Sequence, residues 1–507
     1  MKYMKYTDIS VKNNKKYKTV MCILAVIGVI SGCGNTSQQT LAEINSIESP
    51  QNVETLGQEN LGDVSAETEQ ESQNSVGTQA SGQNVAGAET SLQENSDAVN
   101  VNTAGQESQN TVNAQGNQAV EGTNAQVQSV EQGRRKPVKV KGIYVSGPIA
   151  GNARMDELIE LVDTTELNAM VIDIKNDDGR VTYKMDSDTL ASQIGASINY
   201  VSDIKELVQR CKEKNIYLIA RVVAFKDPYL AQKRPELAVR KKNGDIFYDK
   251  SGLAWVNPYN REVWDYLVEI GTQAAEAGFD EVQFDYIRFS TDLKTDKMDF
   301  GPAAEEQSKT DVITEFTQYA YDKLSPEGVY VSADVYGTII DSKVDQDIVG
   351  QNFVDMASHL DYICPMVYPS HYANGVYGIP VPDAQPYDTV KAAMQAAAKQ
   401  LEKIPEENRA AGRVWIQSFT ASWVEGHISY GPKQIRDQIQ GAHDAGFDEW
   451  ILWNAAVKYK KDAFLTEDEA RAQQEEWDSE MSEAIETAIE TTQAVEEEAE
   501  TGGTDGR

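Results

Sequence analysis

Residues 277–289 read Ala-Gly-Phe-Asp-Glu-Val-Gln-Phe-Asp-Tyr-Ile-Arg-Phe, and residues 445–449 repeat the first five letters, Ala-Gly-Phe-Asp-Glu. At both places an amphipathic pattern ends at a glycine, which suits a left-handed helix cap, and a largely apolar run follows at once. A helix, a tight turn and a buried strand make up the αβ unit of a parallel sheet. Two turns of the same chemistry therefore predict a repeated architecture in which Asp285 and Trp453 occupy equivalent strand positions.

Eight short runs rich in Val, Ile and aromatic residues alternate with amphipathic segments between residues 137 and 465. The runs cover 138–145, 169–174, 217–225, 281–289, 329–336, 361–368, 414–419 and 449–453. The helical segments cover 155–167, 202–214, 260–277, 310–324, 389–403 and 432–445, with a short one at 353–360. Eight such units predict an α/β fold of the (β/α)₈ TIM-barrel type over 137–465. A doubly wound sheet is the main alternative.

The segments on either side of this region differ sharply in composition. Residues 34–133 contain no aromatic residue, Cys, Lys or Arg, so we expect 34–136 to be a disordered low-complexity linker. Residues 466–507 predict an acidic tail, helical around 471–489 and then disordered. The net charge of −34 belongs mostly to these segments, because 34–133 holds 14 acidic and no basic residues. An acidic chain without a basic patch argues against nucleic-acid binding.

The amino terminus has the pattern of an exported lipoprotein. A positive segment with Lys12, Lys15, Lys16 and Lys18 precedes an apolar run at 20–30, and Ile-Ser-Gly-Cys ends at Cys33. That ending resembles a bacterial lipobox, which implies that 1–33 is a signal peptide and that Cys33 carries lipid. We therefore expect a monomeric lipoprotein on the extracytoplasmic face of the cell membrane. An uncleaved anchor and an ordinary signal peptide are the alternatives. Cys211 and Cys364 are expected to be buried free thiols.

Two carboxylates at strand ends are the candidate catalytic residues. Asp285 lies near the carboxyl end of the fourth run and Asp334 near that of the fifth. Active sites of TIM barrels lie at this face, and an ionised carboxylate in an apolar strand is costly unless it is paired or functional. Neighbouring strands are about 4.8 Å apart, so both groups are expected over one cleft. Two carboxylates flanking a scissile bond are what glycoside hydrolysis needs.

Other polar and aromatic groups at or after strand ends, together with Arg221 inside the third run, are candidate substrate-binding residues. They are Asp173, Arg221, Tyr286, Arg288, Tyr336, Tyr368, His371, Gln417 and Trp453. For each alone, packing or loop hydrogen bonding is at least as good an interpretation. Together they predict an amphipathic cleft suited to sugar rings.

Competing chemistries lack their sequence motifs. The four histidines form no HxH or HExxH pair, and GxSxG, GxxxxGK[ST] and a GxGxxG after a strand are all absent. We therefore expect neither a metal nor a cofactor.

Residues 278–289, together with 141–144 and Met-Val-Tyr-Pro-Ser-His at 366–371, resemble a bacterial family of glycoside hydrolase-type domains, otherwise known as a domain of unknown function. The resemblance covers about 138–460 and implies a barrel distantly similar to the α-amylase superfamily. In that superfamily the fourth-strand carboxylate is the nucleophile, and Asp285 is the matching position. The chain departs from the amylase pattern at Gln283, where amylases have Arg, and at Asp334, where they have Glu.

The sequence thus predicts a surface glycosidase that acts on a polysaccharide, with Asp285 as nucleophile or base and Asp334 as acid. Placement on adjacent strands favours a retaining mechanism. Two alternatives stay open: a non-catalytic barrel that binds envelope glycans, and a hydrolase of another class, which chelator-sensitive activity with stoichiometric zinc would indicate.

Overall fold

The computed structural model describes residues 137–480 together with 482, 483 and 487. The predicted signal peptide with Cys33, the predicted linker and the end of the acidic tail lie outside the described residues. No helix among the described residues has the length and apolar character needed to cross a bilayer.

The core of the fold is a closed ring of eight parallel strands. They are β1 (Lys141–Val145), β2 (Ala169–Lys175), β3 (Tyr217–Val223), β4 (Glu281–Asp285), β5 (Tyr330–Tyr336), β6 (Tyr362–Met366), β7 (Val414–Gln417) and β8 (Trp450–Trp453). Gly142 of β1 lies opposite Ile451 of β8 on one side and Ala169 of β2 on the other, which closes the ring. The predicted (β/α)₈ barrel is therefore confirmed, and the doubly wound alternative is wrong.

Helices alternate with these strands and cover the outside of the ring. They are α1 (Arg154–Asp163), α2 (Ile204–Glu213), α3 (Arg261–Ala277), α4 (Lys309–Leu324), α5 (Phe353–Ala357), α6 (Pro386–Leu401), α7 (Pro432–His443) and α8 (467–480). Side-chain caps begin several of them: the carboxylate of Asp203 accepts from the amide of Glu206 at α2, and Asn260 accepts from that of Glu262 at α3. Each cap satisfies a backbone donor that the first helical turn leaves unpaired.

The two Ala-Gly-Phe-Asp-Glu turns have the same hydrogen bonds, as their shared sequence predicts. Gly278 has φ +103° and Gly446 has φ +89°, the left-handed region that glycine enters without strain. After each glycine the amide of the phenylalanine, Phe279 or Phe447, donates to a carbonyl five residues earlier. This bond closes the helix end and directs the chain into the next strand.

The beginning of the acidic tail is the eighth helix of the barrel. Helix α8 follows β8, and its Trp477 stacks on His443 of α7 with ring centroids 3.6 Å apart. Only 8% of Trp477 is exposed. Gln473 accepts a 2.7 Å hydrogen bond from Arg436 of α7. A strongly acidic sequence therefore still completes the barrel, because one aromatic residue on its inner face provides the packing.

A buried ionic cluster fills the barrel at the amino ends of the strands. Arg413, just before β7, crosses the interior to Glu281 of β4, with nitrogen–oxygen distances of 2.9 and 3.0 Å. Its Nε also donates to Glu449, just before β8, at 2.9 Å. Glu281 and Glu449 are the glutamates of the two repeated turns, so the repeat supplies both carboxylates that this arginine binds.

The same end of the barrel receives the amino terminus of the described chain. Lys139, just before β1, forms an ion pair with Asp448 of the second repeated turn. The amide of Val140 donates to Glu449 at 3.1 Å. The chain therefore enters the barrel at the face that holds Arg413.

Cys211 and Cys364 are both buried free thiols, which confirms the prediction for these two residues. Cys364 lies inside the barrel, where its sulfur accepts a 3.3 Å hydrogen bond from Gln283.

Replacing Arg413 by Met is expected to destabilise the fold by about 3–5 kcal/mol, because Glu281 and Glu449 are then left buried without their cation. Urea unfolding at neutral pH measures the change. Lys343→Ala is the matched control, since Lys343 forms an exposed pair with Asp347 and its loss should cost no more than about 0.5 kcal/mol. An Arg413→Met variant within about 1 kcal/mol of wild type would contradict the assignment of the cluster as a stabilising pair.

Candidate active site

The two predicted catalytic carboxylates occupy adjacent positions at the carboxyl ends of β4 and β5. Phe284 lies opposite Ala333 in the strand register, so Asp285 and Asp334 are the next residues along their strands. Asp285 also lies opposite Val223 of β3, and Asp334 opposite Cys364 of β6. Asp285 is 7% exposed and Asp334 is 1% exposed. The structure therefore brings both groups together at the barrel mouth, beneath a nearly complete covering of neighbours.

Arg221 of β3 is the cation that binds Asp285. Its Nε and Nη2 donate to one oxygen of Asp285 at 2.9 and 2.6 Å, and its Nη1 donates to Asp173 at 2.6 Å. In the register Arg221 lies directly opposite Gln283. The neighbouring strand therefore supplies an arginine at the height of Gln283.

Asp334 has a different environment from that of Asp285. The indole Nε1 of Trp415 donates a 2.6 Å hydrogen bond to Oδ1 of Asp334. Burial, and then the negative charge of Asp285, raise the pKa of Asp334 well above its usual value. Arg221 and Trp415 oppose this shift without cancelling it. Asp334 therefore holds a proton at a pH where an ordinary aspartate is ionised.

Asp173 of β2 is the second carboxylate that Arg221 binds. It also accepts a 2.6 Å hydrogen bond from the hydroxyl of Tyr144. Burial raises the pKa of Asp173 to about 6, although the charge of Arg221 works in the opposite direction. Of the predicted substrate-binding residues, Asp173 and Arg221 thus lie in direct contact with the carboxylate network, where each helps to hold Asp285.

A third acidic group, Asp177, lies at the outer edge of this network. Its side chain is 30% exposed, and an oxygen lies 3.6 Å from Nη2 of Arg221. Partial burial works against ionisation, but the charges of Arg221 and Lys226 outweigh it and lower the pKa of Asp177 below its usual value. Asp177 is therefore an ionised group that a ligand entering the mouth can reach.

The backbone turns sharply immediately after Asp285. Tyr286 has φ +48°, which is rare for a side chain of this size and is typical of strained functional sites. Its amide donates a 2.6 Å hydrogen bond to Oδ1 of Asp285, so the turn orients the carboxylate. Lys226 lies 4.4 Å from the centroid of the Tyr286 ring.

Arg288 lies among three aromatic rings on this side of the mouth. Its guanidinium carbon is 5.1 Å from the ring centroid of Trp255, 4.9 Å from that of Tyr286 and 4.5 Å from that of Tyr336. Arg288 is 2% exposed, and its Nη1 donates to the carbonyl of Phe289 at 3.0 Å. The geometry assigns Arg288 a role in holding Tyr286 and Tyr336 at the mouth.

Tyr368 and His371 follow β6, whose end lies beside that of β5. Burial, and then the charges of Asp334 and Asp285, raise the pKa of Tyr368 well above its usual value. The ring of His371 packs against that of Tyr368 at 5.3 Å and is exposed to solvent. His371 is thus exposed beside the mouth, whereas Tyr368 is 7% exposed.

The side chain of Gln417 is hydrogen-bonded to the loop after β6. It accepts from the amide and hydroxyl of Ser370 at 3.1 and 2.8 Å, and it donates to Asp383 and to the carbonyl of Phe419. Its side chain is fully buried. We therefore assign Gln417 a positioning role, which differs from the substrate contact that the sequence predicted.

Trp453 forms the remaining wall of the mouth. Its ring lies 4.3 Å from that of Tyr144, and the guanidinium of Arg221 is 5.5 Å from its centroid. Trp453 is partly exposed, so one aromatic surface remains open beside the network. The sequence predicted Trp453 but missed Tyr144, Asp177, Lys226 and Trp415 as members of the site. Strand alternation places Trp415 on the same face as Gln417, which is the signal that identifies it.

The family model described as "Putative glycosyl hydrolase domain" matches residues 142–459, more than half of the chain. The chain belongs to this family. The resemblance inferred from residues 278–289 is therefore confirmed, and membership supports a glycoside hydrolase. No curated protein matches the chain.

Solved structures of several proteins are similar to parts of this glycosyl hydrolase-type chain. A hypothetical protein from Ruminiclostridium thermocellum ATCC 27405 is 40% identical over 38% of this chain and 97% of its own, with a TM-score of 0.35. The PgaB (BpsB) glycoside hydrolase domain from Bordetella bronchiseptica is 13% identical over 63% and 94%, with a TM-score of 0.46. The β-amylase catalytic domain from Paenibacillus polymyxa is 11% identical over 64% and 95%, with a TM-score of 0.40.

The raised pKa of Asp173 predicts a measurable dependence of stability on pH. Its carboxyl titrates at about 6 in the folded chain and at about 3.9 when unfolded, so the folded state holds an extra proton between these values. The contribution of this group to stability therefore falls as pH rises from about 4 to 6 and is constant above. Asp173→Asn should remove this slope, which amounts to about 3 kcal/mol over the window.

The measurement is the difference in unfolding free energy between wild type and Asp173→Asn at intervals from pH 4 to pH 7. Asp178→Asn, at an exposed position in the turn after β2, is the control and should leave the slope of wild type intact. Parallel curves for wild type and Asp173→Asn would rule out the raised pKa.

Proposed function

We propose that this protein is a surface-anchored glycoside hydrolase that cleaves O-glycosidic bonds of a polysaccharide by a two-carboxylate mechanism. The observation that carries the proposal is the contrast between two adjacent carboxyl groups. Asp285 accepts two hydrogen bonds from the guanidinium of Arg221, whereas burial, and then the charge of Asp285, raise the pKa of Asp334 well above its usual value. A glycosidase of this kind needs one carboxylate as nucleophile and one carboxyl group that holds a proton as acid.

In the first step the proton of Asp334 passes to the glycosidic oxygen while an oxygen of Asp285 attacks the anomeric carbon. The bond between that carbon and the glycosidic oxygen breaks, and the leaving sugar departs as an alcohol. In the second step ionised Asp334 takes a proton from water, whose oxygen displaces Asp285 from the sugar. Adjacent strands, about 4.8 Å apart, suit the short carboxyl separation of this retaining route.

The rings around the pair support a sugar as substrate. Trp453 lies beside Arg221, Tyr336 ends the strand of Asp334, and Tyr368 follows the next strand, β6. Aromatic faces with hydrogen-bonding groups at their edges suit sugars, which have apolar faces and polar rims. No cofactor is part of this mechanism, because both proton transfers and the nucleophilic attack use side chains of the chain itself.

Attachment to the cell surface is a proposal from the sequence of 1–136 alone. The lipobox-like ending at Cys33 supports a lipid anchor on the extracytoplasmic face, and the composition of 34–136 supports a tether between that anchor and the barrel. The acidic net charge supports a glycan rather than a nucleic acid as partner.

A non-catalytic glycan-binding barrel is the second candidate function. The observation in its favour is the low exposure of both carboxylates, 7% for Asp285 and 1% for Asp334, together with the two hydrogen bonds that hold Asp285 to Arg221. Turnover distinguishes the two candidates, since the binding protein has none.

Asp285→Asn is expected to abolish turnover while glycan binding is largely retained, because the amide has nearly the shape of the carboxylate but cannot attack the anomeric carbon. The measurement is release of reducing ends by the full chain from a panel of envelope and plant polysaccharides. Asp347→Asn, at an exposed helical position, is the control. Retained turnover in Asp285→Asn would remove it as nucleophile. Binding without turnover in wild type, unchanged by Asp285→Asn, would establish the second candidate.

Asp334→Asn is expected to lower turnover of the polysaccharide by about 10²–10⁴-fold, the usual contribution of a general acid. The loss should be much smaller on a p-nitrophenyl glycoside, whose leaving group departs without a proton. In wild type, turnover should decline as pH rises through the raised pKa of Asp334, and the variant should lose this decline. Equal losses on both kinds of substrate would exclude Asp334 as the acid.

A further inference from the structure

Four aromatic side chains form a continuous strip outward from the carboxylate pair, along the loops after β6 and β7. The aromatic strip consists of Tyr368, His371, Phe419 and Trp423. Ring centroids are 6.1 Å apart between Tyr368 and Phe419, and 6.4 Å apart between His371 and Phe419. Phe419 and Trp423 are stacked, with centroids 6.0 Å apart and an angle of 19° between the planes.

Exposure increases from Tyr368 through Phe419 to Trp423, and His371 is also exposed. Tyr368, beside Asp285 and Asp334, is 7% exposed, Phe419 is partly buried and Trp423 is 40% exposed. A large aromatic ring on the surface leaves apolar area in water, and contiguous exposed apolar area beside a cleft is typical of a binding surface. The strip therefore continues the candidate active site beyond the position of the scissile bond.

The loop that presents Trp423 is held in place by buried polar contacts. Asp383 is 1% exposed and accepts hydrogen bonds from Gln417 at 3.0 Å and from the amide of Ile428 at 3.3 Å. The hydroxyl of Tyr430 donates to the carbonyl of Asp383 at 3.0 Å. Because both ends of the loop are tied to one buried residue, Trp423 is presented in a defined position. A ring held in advance binds at a lower entropic cost than a mobile one.

We propose that Trp423, stacked on Phe419, forms an additional sugar-binding subsite that takes a second ring of the same glycan chain whose bond lies over Asp285. The inference rests on the proposed function and extends it to substrate length. A chain of several sugars contacts both the carboxylate pair and Trp423, whereas a single sugar over Asp285 cannot. The protein is accordingly a polysaccharide-chain enzyme rather than one specific for single terminal sugars.

Affinity electrophoresis tests the subsite independently of turnover. Full-length protein with Asp285→Asn, which prevents cleavage, is run in gels that contain glycol chitosan, hydroxyethyl cellulose, xylan, laminarin or pullulan. In the gel that retards this protein, adding Trp423→Ala should weaken the affinity by about threefold to tenfold, as expected for loss of one aromatic stack. Trp423→Phe, which keeps a ring, should restore most of the affinity. Ser422→Ala, an exposed neighbour without a ring, is the matched control and should change nothing.

The outcomes separate this subsite from the hydrolase. Equal retardation of the Asp285→Asn protein with and without Trp423→Ala overturns the subsite. The subsite is also overturned if the Asp285→Asn protein is retarded in none of the gels although the wild type cleaves one of the glycans. Both results leave the proposed hydrolase standing. If Trp423→Ala reduces retardation and the wild type has no turnover on any of the glycans, the subsite is supported and the hydrolase is rejected. In an active wild type, Trp423→Ala should also raise KM on the retarding polysaccharide by the same factor.

Discussion

The guanidinium of Arg221 determines the arrangement of the barrel mouth. It lies at the end of β3, and it joins carboxylates from the strands on both sides, Asp173 of β2 and Asp285 of β4. Burying a charge is costly unless it is paired and hydrogen-bonded, so none of these three groups can move without leaving another unpaired. The position of Asp285 is thereby determined by charge before any substrate arrives. The hydrogen-bond partners of Asp285 and Asp334 therefore differ in charge. Arg221 donates to Asp285, whereas only the neutral indole of Trp415 donates to Asp334 in the described contacts.

The eight strands could be predicted because the interior of a parallel barrel demands nearly continuous apolar runs, and these are visible in a single sequence. The ends of the strands are predicted less accurately. The fourth run continues to Phe289 in composition, but β4 ends at Asp285 because Tyr286 adopts a left-handed conformation that breaks the ladder. The eighth helix was placed in the acidic tail, because its many glutamates conceal the one residue, Trp477, that packs it against α7.

The adjacent placement of Asp285 and Asp334 could be predicted because each is a polar residue that interrupts an apolar strand near its end. Contacts that depend on the pairing between strands could not be predicted. The sequence shows Gln283 where amylases have Arg, but the register that places Arg221 opposite Gln283 exists only in the folded sheet. Likewise Gln417 appears in the sequence as a polar group at a strand end, and only its complete set of protein contacts shows that it positions the loop after β6.

The entry of the chain at the Arg413 face has a geometric consequence for the cell. Lys139 and Val140 are tied to Asp448 and Glu449 at the amino ends of the strands, whereas Asp285 and Asp334 lie at the carboxyl ends. A segment joined before residue 137 therefore meets the barrel at the end opposite the opening that holds Asp285 and Asp334. If Cys33 carries a lipid, that attachment leaves the opening clear.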